Sequence, residues 1–267
     1  MTLGRIKFWI VDIQKHLDSL SLESINGLVP EILRKQGKGW GSTTTDEEVS
    51  ALISLIEAVV GKEIIFFDIG ANVGLYTQAI LELLPKAKIF SFEPSSKAFA
   101  ILSEKYSSNQ KVTLINSAVG MENGSSKLYS DESGSGMASL TKRRMEHFGM
   151  EFEFEEEISL VKLDDWCREN NVWPSIIKLD VEGHEMDVLK SGSEAVLKAD
   201  AIQFEFGGCN IDTRTFFQDF WYFFKENKFD IWRITPTGLD YIQNYSEYDE
   251  CFTTTNYIAI KKIHKKI

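Results

Sequence analysis

Apolar runs and helical stripes alternate along most of this chain. Ile64-Ile65-Phe66-Phe67 is an unbroken apolar run, too continuous for a strand with one wet face. It predicts a strand buried on both faces, as at the centre of a parallel sheet. Leu75, Ala79, Ile80 and Leu83 follow at helical spacing. Lys88–Phe92, Val112–Asn116, Ile176–Leu179 and Ala201–Phe206 predict further strands, with helices near Ser96–Tyr106, Asp165–Asn170 and Glu185–Lys190 between them. Asp164 is placed to cap the second of these helices. Alternating strands and helices define an α/β fold with a mostly parallel sheet. An aromatic-rich helix over Thr213–Asn227 then precedes two last strands, Asp230–Ile234 and Asn256–Lys261, joined by a long aromatic, acidic connection.

Two stretches leave this alternation. Residues 1–45 read as a helical N-terminal cap: Ile6, Phe8–Val11, Ile13, Leu17 and Leu20 have rough helical spacing, and a short helix over Glu31–Gln36 follows Pro30. Trp40, in a glycine-rich loop, packs in the cap or touches substrate as part of a lid. Thr45 and Glu48 fit a capping box for the next helix, with Val49, Leu52, Ile53, Ile56 and Val60 as its apolar stripe and Gly61 as its end. The main domain then spans 46–267. Within it, residues 121–163 read as an insertion of antiparallel strands. Ser125–Ser130 is one strand, and Phe152, Phe154, Ile158, Leu160 and Leu163 mark alternating stretches. The small, polar Asp131–Leu140 is a loop between them.

The strand–turn–helix at Asp68-Ile-Gly-Ala-Asn-Val-Gly74 carries the first chemistry. Gly70 and Gly74 permit a tight turn and close ligand approach, and the following helix presents unpaired N–H groups. Asp68, at the strand's carboxyl end, would repel a pyrophosphate and attract a cation. Asn72 stands where a dinucleotide fingerprint has its middle glycine, which counts against NAD. Glu93 ends the second strand, 19 residues beyond Gly74, where an acid grips a ribose diol. Small residues at Ser117 and Ala118 leave room for a flat adenine ring. Together these features predict S-adenosylmethionine as the cofactor.

A second cluster, Asp180, Glu182, His184 and Glu185, lies at the carboxyl end of the fourth strand, next to the first. Glu205 ends the fifth strand on the same side. Three uses stay open: general-base work by His184 beside carboxylates, a divalent metal held by Asp180, His184 and Glu205, or capping of the next helix, which suits Glu185 best. The metal is not the favoured reading. The formal net charge of -11 argues against nucleic acid and acidic membrane as partners. The basic tail with Lys265 and Lys266 reads as solvated. No run is long and apolar enough to span a bilayer, and no secretory leader is recognisable. Cys167, Cys209 and Cys251 lie far apart, so neither a zinc site nor a disulfide framework is expected and a reducing cytoplasm is the default.

Asp68-Ile-Gly-Ala-Asn-Val-Gly-Leu-Tyr-Thr77, Phe92-Glu-Pro94, Ser117-Ala-Val-Gly120 and Ile177-Lys-Leu-Asp-Val-Glu-Gly-His-Glu185 resemble the motifs of the FkbM family of S-adenosylmethionine-dependent methyltransferases. They occur in the same order and span Phe66 to about Glu205. The resemblance implies a Rossmann-like class I methyltransferase fold: a seven-stranded, mostly parallel sheet with a reversed last strand. It implies methyl transfer, usually to an oxygen of a sugar, glycan or natural-product acceptor. The expected cofactor residues are Asp68, Gly70, Asn72, Gly74, Tyr76, Glu93, Ser117, Ala118 and Asp180; the expected catalytic residues are Asp180, His184 and Glu205. Two rivals remain at this stage: an NAD-dependent oxidoreductase and a non-catalytic scaffold that kept the fold.

Overall fold

The computed structural model describes Lys15 and residues 18–41, 45–56 and 63–262. The stripe expected through Ile6, Phe8–Val11, Ile13 and Leu17 lies outside the described residues, as do Val60, Gly61, Lys265 and Lys266. Helix α1 (Leu22–Lys35) begins well before Pro30. Ser21 caps it by accepting from the Ser24 N–H at 3.1 Å, so Pro30 falls inside the helix and not at its first turn. In α2 (Thr45–Ile56), Val49, Leu52 and Ile56 are buried. Thr45 is its first helical residue. The Glu48 carboxylate, expected to close a capping box, reaches into the protein and accepts from the side-chain amides of Gln203 at 2.7 Å and Asn256 at 3.0 Å.

In chain order there follow β1 (Ile65–Ile69), α3 (Leu75–Leu83), β2 (Lys88–Phe92), α4 (Ser96–Tyr106), β3 (Val112–Ile115), β4 (Ala118–Val119), β5 (Gly124–Ser130) and β6 (Phe154–Val161). Next come α5 (Leu163–Asn170), β7 (Ile176–Leu179), α6 (Glu185–Ser191), α7 (Ser193–Lys198), β8 (Ala201–Phe206), α8 (Cys209–Thr213) and α9 (Phe217–Glu226), then β9 (Phe229–Thr235), β10 (Gly238–Ile242) and β11 (Thr255–Lys261). Asp164 lies within α5 and caps α7 instead, accepting from the Glu194 and Ala195 N–H groups at 2.9 Å each.

The main sheet has the order β10-β9-β11-β8-β7-β1-β2-β3. β1, β2, β3, β7 and β8 run parallel. β11 is the reversed strand, antiparallel to both β8 and β9. The sheet has eight strands and not seven, because the connection after β9 turns back and pairs as β10. The turn is closed by Thr235, whose hydroxyl donates to Gly238 O at 2.9 Å. A small second sheet, β4-β6-β5, stands beside the carboxyl ends of the main strands.

Helices cover both faces of the main sheet, which explains the unbroken apolar run of β1. Phe67 and Ile69 point into one core with Phe92, Leu179 and Phe204. Phe66 points into the other with Leu52, Tyr76, Ile80 and Leu102. Each fully buried Phe or Leu stabilises the fold by roughly 1.5–3 kcal/mol. By the same alternation Asp68 shares its face with Phe66, and that places its carboxylate.

Candidate active site

After β1 the chain turns over the ends of β2 and β7. The N–H groups of Gly70 and Ala71 both donate to Phe92 O, at 3.0 and 2.9 Å. Gly70 has φ 82°, and a Cβ there would lie 1.8 Å from Asp180 O. Gly74 also has φ 82°, and its Cβ would meet Leu102 and Tyr106 at 2.6 Å. Both glycines were expected to let a ligand approach. Gly70 borders the cavities on either side of the turn, Gly74 borders neither, and at both the space a Cβ would need is taken by protein: Gly70 lets the β1 and β7 turns cross, and Gly74 lets α3 pack on α4. Asn72 has φ 47°, and its N–H points at Glu93.

Asp68, expected to face the ligand, is fully buried beneath the turn and lines neither cavity. Its Oδ2 accepts from the Thr77 hydroxyl at 2.6 Å, and Lys178 Nζ stands 3.7 Å from Oδ1. Burial pushes its carboxyl up, opposed by Lys178 and Thr77. The structure gives it the part of a brace between β1, α3 and β7.

Glu93 sits at the head of a cavity beside the glycine turn. Oε2 accepts from the Asn72 N–H and Oε1 from the Ser95 N–H, both at 2.8 Å. Burial pushes its carboxyl up to about 7 against these two donors. Gly70, Asn72, Ser117, Ala118 and Asp180 line the same cavity. So do residues the sequence reading did not single out: Leu128 on β5 and Ser135, Gly136, Ala138 and Leu140 on the loop after it. The signal for them was the small-residue run beside Gly134 and Gly136, too large for a plain turn.

A second cavity opens on the other side of the turn. Gly70, Asn72 and Asp180 border both, so Asp180 stands where the two meet. Tyr76, Lys178, Glu205, Glu48 and Asn256 also line the second. The Tyr76 hydroxyl donates to Gln203 Oε1 at 2.6 Å. Lys178 Nζ is 3.0 Å from Asp180 Oδ2. Burial works against the lysine's charge, yet Asp180 and Asp68 outweigh it and hold its pKa above the usual value. Glu205 is raised well above the ordinary carboxyl range, first by burial and then by Asp180, Glu182, Glu185 and Glu48. Lys178 and Glu48 were missed in the sequence. A lone lysine in the otherwise apolar Ile176-Ile177-Lys178-Leu179 was the available signal.

His184 lines neither cavity. Its Nδ1 pairs with Asp187 Oδ2 at 2.8 Å, and its Nε2 lies 3.0 Å from the Thr141 hydroxyl. Both ring nitrogens are engaged away from the crevice, which removes the geometry expected of a base. Glu182, with φ 52°, borders the first cavity and binds Arg143 Nη1 at 2.7 Å. Burial and then Asp180 push it up to about 8, against Arg143. Glu185 folds back to accept from the Val181 and Gly183 N–H groups at 3.0 and 3.2 Å. Among the described residues no three His, Cys, Asp or Glu side chains are grouped to hold a metal ion. No helix among them is long and apolar enough to cross a membrane.

The order β3-β2-β1-β7-β8-β11-β9, parallel except for β11, with a carboxylate at the end of β2 facing the crevice, is the class I methyltransferase architecture. The Methyltransferase FkbM domain model matches residues 68–233. The chain therefore belongs to the FkbM methyltransferase family. A curated relative, 2-O-methyltransferase NoeI of Sinorhizobium fredii, is 29% identical over 185 residues, 65% of this chain and 75% of that protein. Among solved structures, the plantazolicin methyltransferase BpumL in complex with SAH superposes with a TM-score of 0.46 at 10% identity, over 90% of this chain and 98% of its own. Precorrin-6y C5,15-methyltransferase from Geobacter metallireducens gives 0.42 at 10% identity, over 80% and 87%. Likenesses this distant say nothing about the acceptor.

Proposed function

We propose that this methyltransferase uses S-adenosylmethionine and methylates a hydroxyl oxygen on a sugar, glycan or natural-product acceptor. The observation that carries the cofactor is Glu93. Its two oxygens are each fixed by one backbone N–H, and a carboxylate has lone pairs left for two more donors. A vicinal diol such as the ribose of an adenosine fits that demand. Ser117 and Ala118, with Leu128 and Leu140, form a slot of small and apolar side chains beside it, suited to a flat base. The name of the relative NoeI supports an oxygen acceptor.

When bound, the cofactor supplies a methyl group already activated by a sulfonium. This chain's residues then have two tasks: to align an oxygen and to remove one proton. Asp180, at the junction of the cavities, borders both ligands. Glu205 is on β8, next to β7 and one strand further from the glycine turn, so an acceptor entering from that side meets it. Its raised pKa makes it a strong base once ionised, and it takes the acceptor's hydroxyl proton in place of His184.

Thermal unfolding with S-adenosylhomocysteine, and with NAD as control, tests the cofactor. At about 100 times Kd the stabilisation is roughly 2.7 kcal/mol, a rise of several degrees. A shift with NAD alone overturns the reading. Transfer of labelled methyl to oligosaccharides, as an alkali-stable ether, tests the acceptor; label confined to nitrogen or carbon overturns that part.

A further inference from the structure

A pocket apart from the two cavities lies where the loop between β5 and β6 meets α8. Arg144, Glu146 and His147 line it from the loop, and Ile211, Asp212 and Arg214 from α8 and its end. In the run Lys142-Arg143-Arg144 the first two cations have partners inside the protein. Lys142 pairs with Glu153 at 2.8 Å, and Arg143 with Glu182 and Asp212. Arg168 and Arg233 likewise each face two carboxylates. The side chains of Arg144 and Arg214 differ. Both are exposed, and among the described residues neither guanidinium has an ion-pair or hydrogen-bond partner. Asp212 does not neutralise them: it stands 3.7 Å from Arg143 Nε and accepts from the Arg144 backbone N–H at 3.5 Å. Arg214 sits at φ 58°, a position that ends a helix and usually falls to glycine or asparagine.

The pocket is one side chain away from the active site. Arg143 bridges Asp212, on the pocket wall, and Glu182, on the wall of the first cavity. α8 itself follows β8, whose Glu205 lines the second cavity. A guanidinium offers five N–H donors in a planar fork that matches a carboxylate, sulfate or phosphate. Two unpartnered forks on one pocket answer an anion, in a chain whose net charge of -11 disfavours anions elsewhere on its surface. Glu146 sets the ligand's other half. It would repel a bare anion, but it accepts from the hydroxyls of a sugar that carries the charge. We propose that this pocket receives an anionic group of the acceptor, a carboxylate or a sulfate or phosphate ester, through Arg144 and Arg214. The acceptor is then an acidic saccharide, and Arg143 sets its charge apart from the hydroxyl that is methylated at Asp180 and Glu205. This rests on the oxygen-methylation reading above and narrows its substrate class.

The test uses oligosaccharides in matched pairs. One member of each pair carries a uronate; the other is the same molecule with that carboxyl reduced to the alcohol. Transfer of labelled methyl from S-adenosylmethionine is measured on both. The native protein is expected to show a kcat/KM at least tenfold higher on the acidic member, with the difference in KM. In Arg144→Gln with Arg214→Gln the preference is expected to fall to within about twofold. Arg144→Lys with Arg214→Lys keeps both charges and is expected to retain part of it. Both sites are exposed, and S-adenosylhomocysteine binding checks that each variant is folded. A native protein that methylates both members equally overturns the proposal, as does a Gln variant that keeps the native preference; oxygen methylation stands in either case. If calorimetry finds inorganic phosphate bound to the native protein and not to the Gln variant while both members react equally, the pocket holds a free anion and the acceptor assignment fails. Label on no saccharide at all overturns the oxygen-methylation reading and this proposal with it.

Discussion

Two acids end neighbouring strands and meet opposite fates. Asp68 shares its face with Phe66 and is sealed under Thr77, whereas Asp180 stays half open at the cavity junction. Residue type and spacing made both visible in the sequence. Which one met solvent depended on where the turns crossed, and no local pattern encodes that. His184 shows the same limit. Its neighbours in sequence are acids, but its ring is taken by Asp187 three residues on and by Thr141 from a distant loop. Replacing it should therefore test the fold more than the chemistry. Glu205→Gln is expected to lower kcat by about 10²–10⁴, the usual range for a lost general base, with S-adenosylhomocysteine binding unchanged. The native rate should rise with pH as Glu205 ionises. His184→Ala is expected to keep kcat within a few-fold and to lose roughly 1–2 kcal/mol of stability. Steady-state kinetics and urea unfolding separate the two. The reverse pattern would return the base role to His184.

At the scale of elements, the loop between β5 and β6 is stitched to the turn between β7 and α6. The Ser139 hydroxyl donates to Glu182 O at 2.8 Å, Arg143 binds the Glu182 carboxylate, and Thr141 meets His184. Arg143 also stands 3.7 Å from Asp212. The loop thus forms one wall of the first cavity and is fixed on the side where Asp180 lies. Arg143→Met should destabilise the protein by roughly 2 kcal/mol. That is less than the ~3–5 kcal/mol of a broken buried pair, because Glu182 can take up a proton. S-adenosylhomocysteine should bind several-fold more weakly; unchanged affinity would show that the wall stands without this anchor. The strands of the main sheet were legible because β1, β7 and β8 are buried on both faces and mostly apolar, each interrupted by only one or two polar residues. β10 was not. Asp240 and Tyr241 are exposed, so its pattern is faint, and only the turn at Thr235-Pro236-Thr237-Gly238 hinted at a hairpin. The capping residues were legible by type but not by target, since Glu48 and Asp164 both bond to elements far away in the chain.

For the molecule as a whole, the crevice concentrates acids that resist ionisation. Glu93 is pushed up to about 7 and Glu182 to about 8, from an ordinary value near 4.5, and Asp68, Glu185 and Glu205 move in the same direction. Between pH 4.5 and 8 the folded protein holds protons that the unfolded chain has released, so stability falls as pH rises through this window. The carboxylates with lowered values, Glu63, Glu155 and Glu194, are fully exposed, and solvent screens their opposite effect. The unliganded protein should unfold at a higher temperature at pH 5.5 than at pH 8.5, and a midpoint that climbs across this range would contradict the burial of these groups. The sheet order has a further consequence, for how the protein is made. β11 is the last described strand in the chain, yet it lies inside the sheet, between β8 and β9. As the chain leaves the ribosome, β8 and the β9–β10 hairpin emerge first, each with an unpaired edge open to wrong partners. The sheet can close only when the strand beginning at Thr255 arrives. That strand also brings Asn256 to the second cavity, so the closing of the sheet and the completion of the active site are one event.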